Sequence, residues 1–363
     1  MHIVFLAPGI FKFPCGGRKV ICEYSNRFVR DGYKVTIIYP ATDDFWMLNF
    51  RQKCRTLIAF IYYKITGDYT PRRWFNLNKN ITQKYVWSLE QAYIPNADVY
   101  IATGVNTARF VKQFNIPTSK KFYFIQAFED FVSGYNQQKI IETFHYDINK
   151  IVISSWLQKI IEDEGLKCVK APNGFNFDQF KYLIDLKDRN KFSVCVYYSN
   201  NGEKGVKYSM ESIEIVKRAY PQLKVNMFGL CPRPAHIPNW YNYIQDPSKE
   251  ELNNLYNNSA IYIASSTIEG WGLTVGEAMI CGCAVVCTNT TGFLEMANDR
   301  KNALVIPIKN PDAGADAIIK LITDDELRYR LAQNAMKSIS HFNIENAYDL
   351  FKSYITNSYA KNK

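Results

Sequence analysis

The chain has 363 residues, 47% hydrophobic and 21% charged, and carries a formal net charge of +10 from 44 Lys and Arg against 34 Asp and Glu. This composition excludes a disordered chain, the length points to two domains, and the positive excess calls for an anionic partner without naming it. No run reaches the roughly 18 apolar residues of a membrane span, the longest candidate being TLIAFIYY, Thr56–Tyr63. The opening MHIVFLAPGIF has neither a basic leader nor a cleavage site, so a cytoplasmic chain is expected.

Short β-branched runs alternate with amphipathic stretches, the signature of an α/β protein with parallel sheets. HIVFLA is the first strand, and the loop PGIFKFPCGG leads to a helix from about Arg18 with Val20, Ile21, Tyr24 and Phe28 on one face. Gly32 ends it, and YKVTIIYP, DVYIAT (Asp98–Thr103), KFYFIQ (Lys121–Gln126) and KIVIS (Lys150–Ser154) follow as strands. Turn and charged residues replace periodicity at 175–191, where a linker is expected. The alternation restarts with FSVCVYY, a helix Val206–Tyr220, LKVNMFG, a helix near Ser248–Tyr256, AIYIAS, a helix after Gly272, CAVVCT and ALVIP. The last quarter reads as helical, ending in NIENAYDLFKSYITN.

One segment breaks the alternation. Residues 45–75 mix aromatics with Arg51, Lys53, Arg55, Lys64, Arg72 and Arg73. Such a segment either lies in a membrane interface or packs as a helical insertion with an ordinary charged face. The nine cysteines form no CxxC pair, so reduced thiols are expected; Cys281, Cys283 and Cys287 are the best metal candidates, at a spacing that suits a helix end and a strand.

The chemistry concentrates in SSTIEGWGLTVGEAMICGCAVV, Ser265–Val286. It reads as a strand end, a glycine-bearing loop and a helix start, and such sites in open α/β sheets bind ligands. Gly270 and Gly272 admit backbone N–H groups to an anion at the helix start. Glu277, about one turn into the helix, suits a ribose cis-diol, and Glu269 on the loop can reach a sugar.

This stretch, continued through CTNTTGFLEM, resembles the donor-site signature of retaining GT-B glycosyltransferases of the family 4, group 1 class: serine, Glu–Gly–aromatic–Gly–Leu, a second Glu after seven residues, then Ala–Met and a Gly. The PNGF turn, Pro172–Phe175, and the terminal helices extend the likeness along nearly the whole chain. Within the class, FIQAFED and MFGLCPRPAHIP are similar to bacterial cell-surface polysaccharide and rhamnosyl transferases. The resemblance implies two Rossmann-like domains facing each other across a cleft: an acceptor-side domain 1–174 bearing the 45–75 insertion, a linker 175–191, a donor domain 192–342, and a C-terminal helix about 343–363 packing back on the first domain. It implies that Glu277 holds the nucleotide ribose and that the Gly270–Thr274 backbone (Gly270, Trp271, Gly272, Leu273, Thr274) holds the diphosphate. Glu269 then contacts the transferred sugar, and Lys204 of NNGEKGVKY neutralises the departing diphosphate. Glu269 and Lys204 are thus the catalytic pair. PCGGRKV matches the Gly–Gly loop of the class, with Gly17 toward the diphosphate and Gly16 on the acceptor side.

Two departures stand out. The arginine expected about five residues before Lys204 is replaced by Tyr197–Asn200, leaving Arg18 or Arg233 as substitutes. Where many members carry a histidine, the strand ends in Gln126, which cannot act as a base, so Glu129 and Asp130 are the alternatives. The four histidines show no pairing and take no role. No metal or cofactor is implied: the only DxD-like run, Thr42–Asp44, lies in the wrong context. The implied partners are a nucleotide sugar and a glycan or lipid-linked acceptor, with a peripheral membrane contact through 45–75 on the inner face. Nucleic acid is not implied, because the basic charge is spread rather than massed. Competing readings are a sugar-nucleotide epimerase or hydrolase on the same fold, and a non-catalytic partner subunit. A nicotinamide enzyme is excluded by the lack of G-x-G-x-x-G after the first strand.

Overall fold

The computed structural model describes residues 1–42, 48–129, 132 and 134–360. The expectations placed on Asp43, Asp44, Phe45–Met47 and Asp130 lie outside these residues. The chain divides into two units, Met1–Asn173 with the stretch from Ala347 onward, and Gly174–Asn346.

Unit 1 runs β1 (His2–Leu6), α1 (Gly16–Arg30), β2 (Lys34–Pro40), α2 (Phe50–Thr66), β3 (Thr82–Val86), β4 (Val99–Ala102), α3 (Val105–Val111), β5 (Lys121–Ile125), α4 (Gln137–Phe144), β6 (Asn149–Val152), α5 (Ser155–Asp163) and β7 (Val169–Lys170). Its described strands form a parallel sheet in the order β3-β2-β1-β4-β5-β6-β7. Ile3, Phe5, Ile37, Ile101 and Phe124 are fully or almost fully buried, as the near-continuous apolar runs of covered parallel strands require.

Unit 2 runs β8 (Ser193–Tyr198), α6 (Val206–Ala219), β9 (Lys224–Gly229), β10 (Tyr241–Gln245), α7 (Lys249–Asn257), β11 (Ile261–Ala264), α8 (Leu273–Ile280), β12 (Ala284–Thr288), β13 (Leu304–Ile306), α9 (Pro311–Thr323) and α10 (Asp325–Ile339). Its parallel sheet has the order β10-β9-β8-β11-β12-β13. Val194, Val196, Ile261, Ile263 and Val286 fill the core against Ile213 of α6, Ile318 of α9 and Leu331 of α10. The last helix, α11 (Ile344–Ala360), places Tyr348 and Phe351 against Phe28 and Tyr24 of α1, within unit 1.

The α/β class and the two Rossmann-like units stand as expected. The strands without a sequence expectation include β3 and β10, which lie at the sheet edges and are rich in polar residues, so an apolar-run criterion passes over them. The expected linker is different in kind. Residues 175–191 are built into unit 2: the buried Arg189 guanidinium donates to the carbonyls of Ile184, Ser259 and Cys281. Lys181 and Leu183 donate their N–H groups to Asn253 and Asn257 of α7. A polar stretch reads as a linker because its backbone donors and acceptors find partners only in the folded unit.

Candidate active site

In unit 2 the strand order reverses between β8 and β11, which leave the first and later parts of the unit side by side. Ligands of open α/β sheets bind beyond the carboxyl ends of strands at such a switch point. The loop after β8 carries Lys204 and the loop after β11 carries Glu269, so parallel pairing brings together residues 65 positions apart. Lys204 Nζ donates to Glu269 Oε2 at 2.8 Å, and the side chains remain 31% and 13% exposed.

The two loops are tied together. Thr267 N donates to Glu203 O at 2.7 Å, Ser209 Oγ to Ser265 Oγ at 2.8 Å, and Ser266 Oγ to Glu269 Oε2 at 3.3 Å. Gly205, left-handed at φ 59°, passes so close to Ser265 O that an added Cβ would sit 1.8 Å from it. Gly272 is also left-handed, at φ 93°, and opens α8 at Leu273. The loop therefore presents backbone to the start of a helix, the arrangement that receives an anion.

Glu277 lies in the second turn of α8, buried, with Tyr256 OH donating to its Oε2 at 3.3 Å. The Trp271 indole is turned inward, 3% exposed and edge-on to Phe342 at 5.5 Å, which leaves its backbone as the part facing the loop. Thr274 is half-buried and bonds through its side chain to Tyr262, and Leu273 and Gly270 are half-buried beside the loop.

In unit 1 Gly16 and Gly17 begin α1, after Cys15 at its N-cap. Gln126, just beyond β5, donates from Nε2 to Gly17 O at 3.4 Å. Glu129 accepts the Val105 N–H at 2.6 Å, at the start of α3. Burial pushes its pKa from an ordinary 4.5 up to about 7, although the Val105 N–H pulls the other way. Gly17, Gln126 and Glu129 thus gather at the carboxyl ends of the central strands, with Gly104 beside Glu129.

Arg233 does not replace the missing arginine, because its guanidinium is committed to the carbonyls of Tyr241, Ile237 and Pro238. Arg18 donates to Phe13 O and lies over the Phe11 ring in unit 1. Cys281 and Cys283 point their thiols at Asn253 Oδ1 and the Tyr256 carbonyl, and burial raises both pKa values, Cys283 to about 12. Among the described residues no three His, Cys, Asp or Glu side chains gather as a metal set. Sequence reasoning missed Tyr256 and Arg189, which act through contacts with distant parts of the chain and carry no local signature.

Residues 184–338 match the family Glycosyl transferases group 1. A D-inositol 3-phosphate glycosyltransferase of Corynebacterium jeikeium is 34% identical over 160 residues, 44% of this chain and 34% of that protein. An O-antigen chain mannosyltransferase B of Escherichia coli is 32% identical over 30% of this chain and 28% of its own length. The match thus spans about a third of these relatives' length. A phosphatidyl-myo-inositol mannosyltransferase of Mycobacterium tuberculosis aligns over 91% of this chain and 90% of its own, at 21% identity. Among solved structures, a sucrose-phosphate synthase from Thermosynechococcus elongatus superposes with a TM-score of 0.72 over 99% of both chains at 14% identity. Anabaena HepE, in complex with UDP and glucose, gives 0.70 over 98% of this chain and 100% of its own, also at 14%. Residues 184–338 thus match the glycosyl transferases group 1 model, and the chain carries the GT-B fold of two Rossmann-like units.

Proposed function

We propose that the chain is a retaining, metal-independent glycosyltransferase that moves a sugar from a nucleotide-diphosphate donor to a glycan or lipid-linked acceptor. The observation that carries this reading is the Lys204–Glu269 pair, joined at 2.8 Å beside the glycine-built start of α8, with Glu277 in its second turn. Breaking a sugar–phosphate bond sends the electron pair to the diphosphate, and a fixed cation with helix-start amides stabilises that charge where it develops. Lys204 supplies the cation, the 270–274 backbone the amides, Glu277 the acceptor for the ribose diol, and Glu269 the contact with the sugar. On the acceptor side Gly16, Gln126 and Glu129 of unit 1 are the proposed residues, and only Glu129 has a proton affinity suited to exchange near neutral pH. The UDP and UDP-glucose complexes of Anabaena HepE support a nucleotide sugar as the donor class.

The test pairs binding with turnover. Lys204→Ala and Glu277→Ala are each expected to weaken nucleotide-sugar binding about tenfold or more, while Glu269→Ala lowers turnover about a hundredfold with little change in binding. Undiminished transfer by the Lys204→Ala/Glu277→Ala double variant overturns the assignment. Activity abolished by excess chelator overturns metal independence. Hydrolysis of the donor without any acceptor, in place of transfer, favours the epimerase or hydrolase reading. Calorimetry against UDP, GDP, ADP and dTDP sugars identifies the donor.

A membrane contact has its own support in α2. None of its residues is buried, and Phe50, Ile58, Ile61 and Ile65 are 81%, 68%, 58% and 80% exposed. At about 100° per residue these side chains and Leu57 share one stripe, with Arg51 and Arg55 along one margin and Lys53 and Lys64 along the other. The opposite side docks the helix through Phe60 and Tyr63 on Tyr85 of β3. An apolar stripe flanked by cations fits an anionic membrane surface. No helix among the described residues is long and apolar enough to cross a membrane.

A further inference from the structure

The segment 175–191 does more than join two units: we infer that it positions the Glu277 carboxylate, through Phe175 and Phe180, so that nucleotide binding depends on it. This rests on the reading of Glu277 as the acceptor for the nucleotide diol.

Two independent contacts converge on Glu277. The first is direct packing on its helix. A Cβ added at Gly276 would lie 2.0 Å from the tip of the Phe175 ring, so the ring occupies the volume where any other residue would place its side chain. Phe175 is 3% exposed and is itself clamped: its N–H donates to Phe342 O at 2.7 Å and its carbonyl accepts from Ile344 N at 3.0 Å. The ring therefore sits at a fixed place and sets how closely the α8 backbone approaches at Gly276, one residue before Glu277.

The second contact runs through Tyr256. Its hydroxyl donates to Glu277 Oε2 at 3.3 Å, and its ring is fully buried with Phe180 edge-on at 6.0 Å. Lys181, next in the chain, is tied to α7 through Asn253, so Phe180 cannot slide along the ring it supports. One part of the segment thus sets the α8 backbone beneath Glu277 and another sets the hydrogen bond above it. A carboxylate that must accept two hydroxyls at once tolerates little misplacement, because a shift of about 1 Å forfeits both bonds. Phe175, Phe180 and Tyr256 are accordingly positioning residues, and none of them needs to touch the nucleotide.

The test titrates the full chain calorimetrically with UDP, GDP, ADP and dTDP and follows the tightest binder. Gly276→Ala, which collides with the Phe175 ring, is expected to weaken binding roughly tenfold, and adding Phe175→Leu, which removes the collision, to recover most of it. Tyr256→Phe keeps the ring and deletes the hydrogen bond, and is expected to weaken binding about three- to tenfold with a melting temperature close to the unaltered chain. Alanine at 277 removes the acceptor of the Tyr256 hydroxyl, so a residue that acts only through Glu277 loses its effect there, and Tyr256→Phe added to Glu277→Ala should cost almost nothing further. Binding by Tyr256→Phe within twofold of the unaltered chain, or full additivity with Glu277→Ala, overturns the inference. If Gly276→Ala does not fold, Phe180→Leu, which withdraws the ring packed on Tyr256, takes its place and is expected to weaken binding about threefold or more, and unchanged binding overturns the inference. If Glu277→Ala itself leaves binding unchanged, the diol assignment fails and this inference fails with it. That outcome is distinct from the loss of Tyr256 coupling on its own.

Discussion

Glu129 shows how one residue's surroundings change its chemistry. Its carboxyl is half-buried at the start of α3 and accepts a backbone N–H, yet burial outweighs that bond and lifts its pKa to about 7. Because the folded value lies above the ordinary 4.5, the protonated form is the one the fold favours. Its contribution to stability is complete below about pH 4.5 and is lost as pH rises through about 7. Glu129→Gln, neutral throughout, is therefore expected to flatten the dependence of stability on pH across that window. The expected change is on the order of 2 kcal/mol, the full shift reduced for a side chain that still meets solvent. Chemical denaturation of both proteins at pH 4.5 and pH 7 reads it, and an equal slope in the two contradicts the assignment. Gly205 makes a different residue-scale point: its place in GEKG looks like an ordinary turn glycine, and only the approach of Ser265 O shows why no side chain fits there.

Among elements, α2 follows what its composition suggests and the segment 175–191 does not. The basic aromatic stretch is a regular helix with an asparagine capping box at Asn49 and a left-handed glycine, Gly67, at its end. Its periodicity was legible in the sequence, but which face meets solvent was not, because aromatic residues point both ways. Phe60 and Tyr63 turn inward to β3, while Ile58, Ile61 and Ile65 turn outward. Replacing Ile58 and Ile61 by Asp is expected to abolish co-sedimentation with vesicles containing anionic lipid while leaving the melting temperature nearly unchanged, since both side chains are already exposed. Neutral vesicles should bind weakly even to the unaltered chain. Equal sedimentation by the variant and the parent argues against the membrane contact. The segment 175–191, by contrast, reads as a linker and is a structural part of unit 2, its Arg189 satisfied by carbonyls from three separate stretches of chain.

At the scale of the whole molecule, unit 1 is discontinuous: the chain leaves it at Asn173 and returns at Ala347. The returning helix is integral to the core, with Tyr348 and Phe351 fully buried against aromatic rings of α1 and β5 and Ile355 also fully buried. At about 1.5–3 kcal/mol for each buried side chain, removing it costs a large share of what a single unit has to lose. Deletion of residues 347–363 is expected to raise hydrogen exchange throughout β1, α1 and β5, with the β8–β11 pairs of unit 2 keeping their protection. Unchanged exchange in α1 would show the helix to be dispensable.

The sequence by itself determined the α/β alternation, the two-unit plan and the Glu269–Glu277 signature, because these are written in short windows: strand periodicity, glycines at a strand end, two acids at a fixed spacing. It also carried Lys204, through the glycine beside it. Tertiary structure decided everything that depends on parallel pairing. It joined Lys204 to Glu269 across β8 and β11, placed Tyr256 on Glu277, turned Trp271 inward onto Phe342, and seated Phe175 in the space left by Gly276. The physical reason is that strands in a parallel sheet are joined by long crossovers. The residues meeting at their ends are therefore remote in sequence, and no local pattern records which of them will touch.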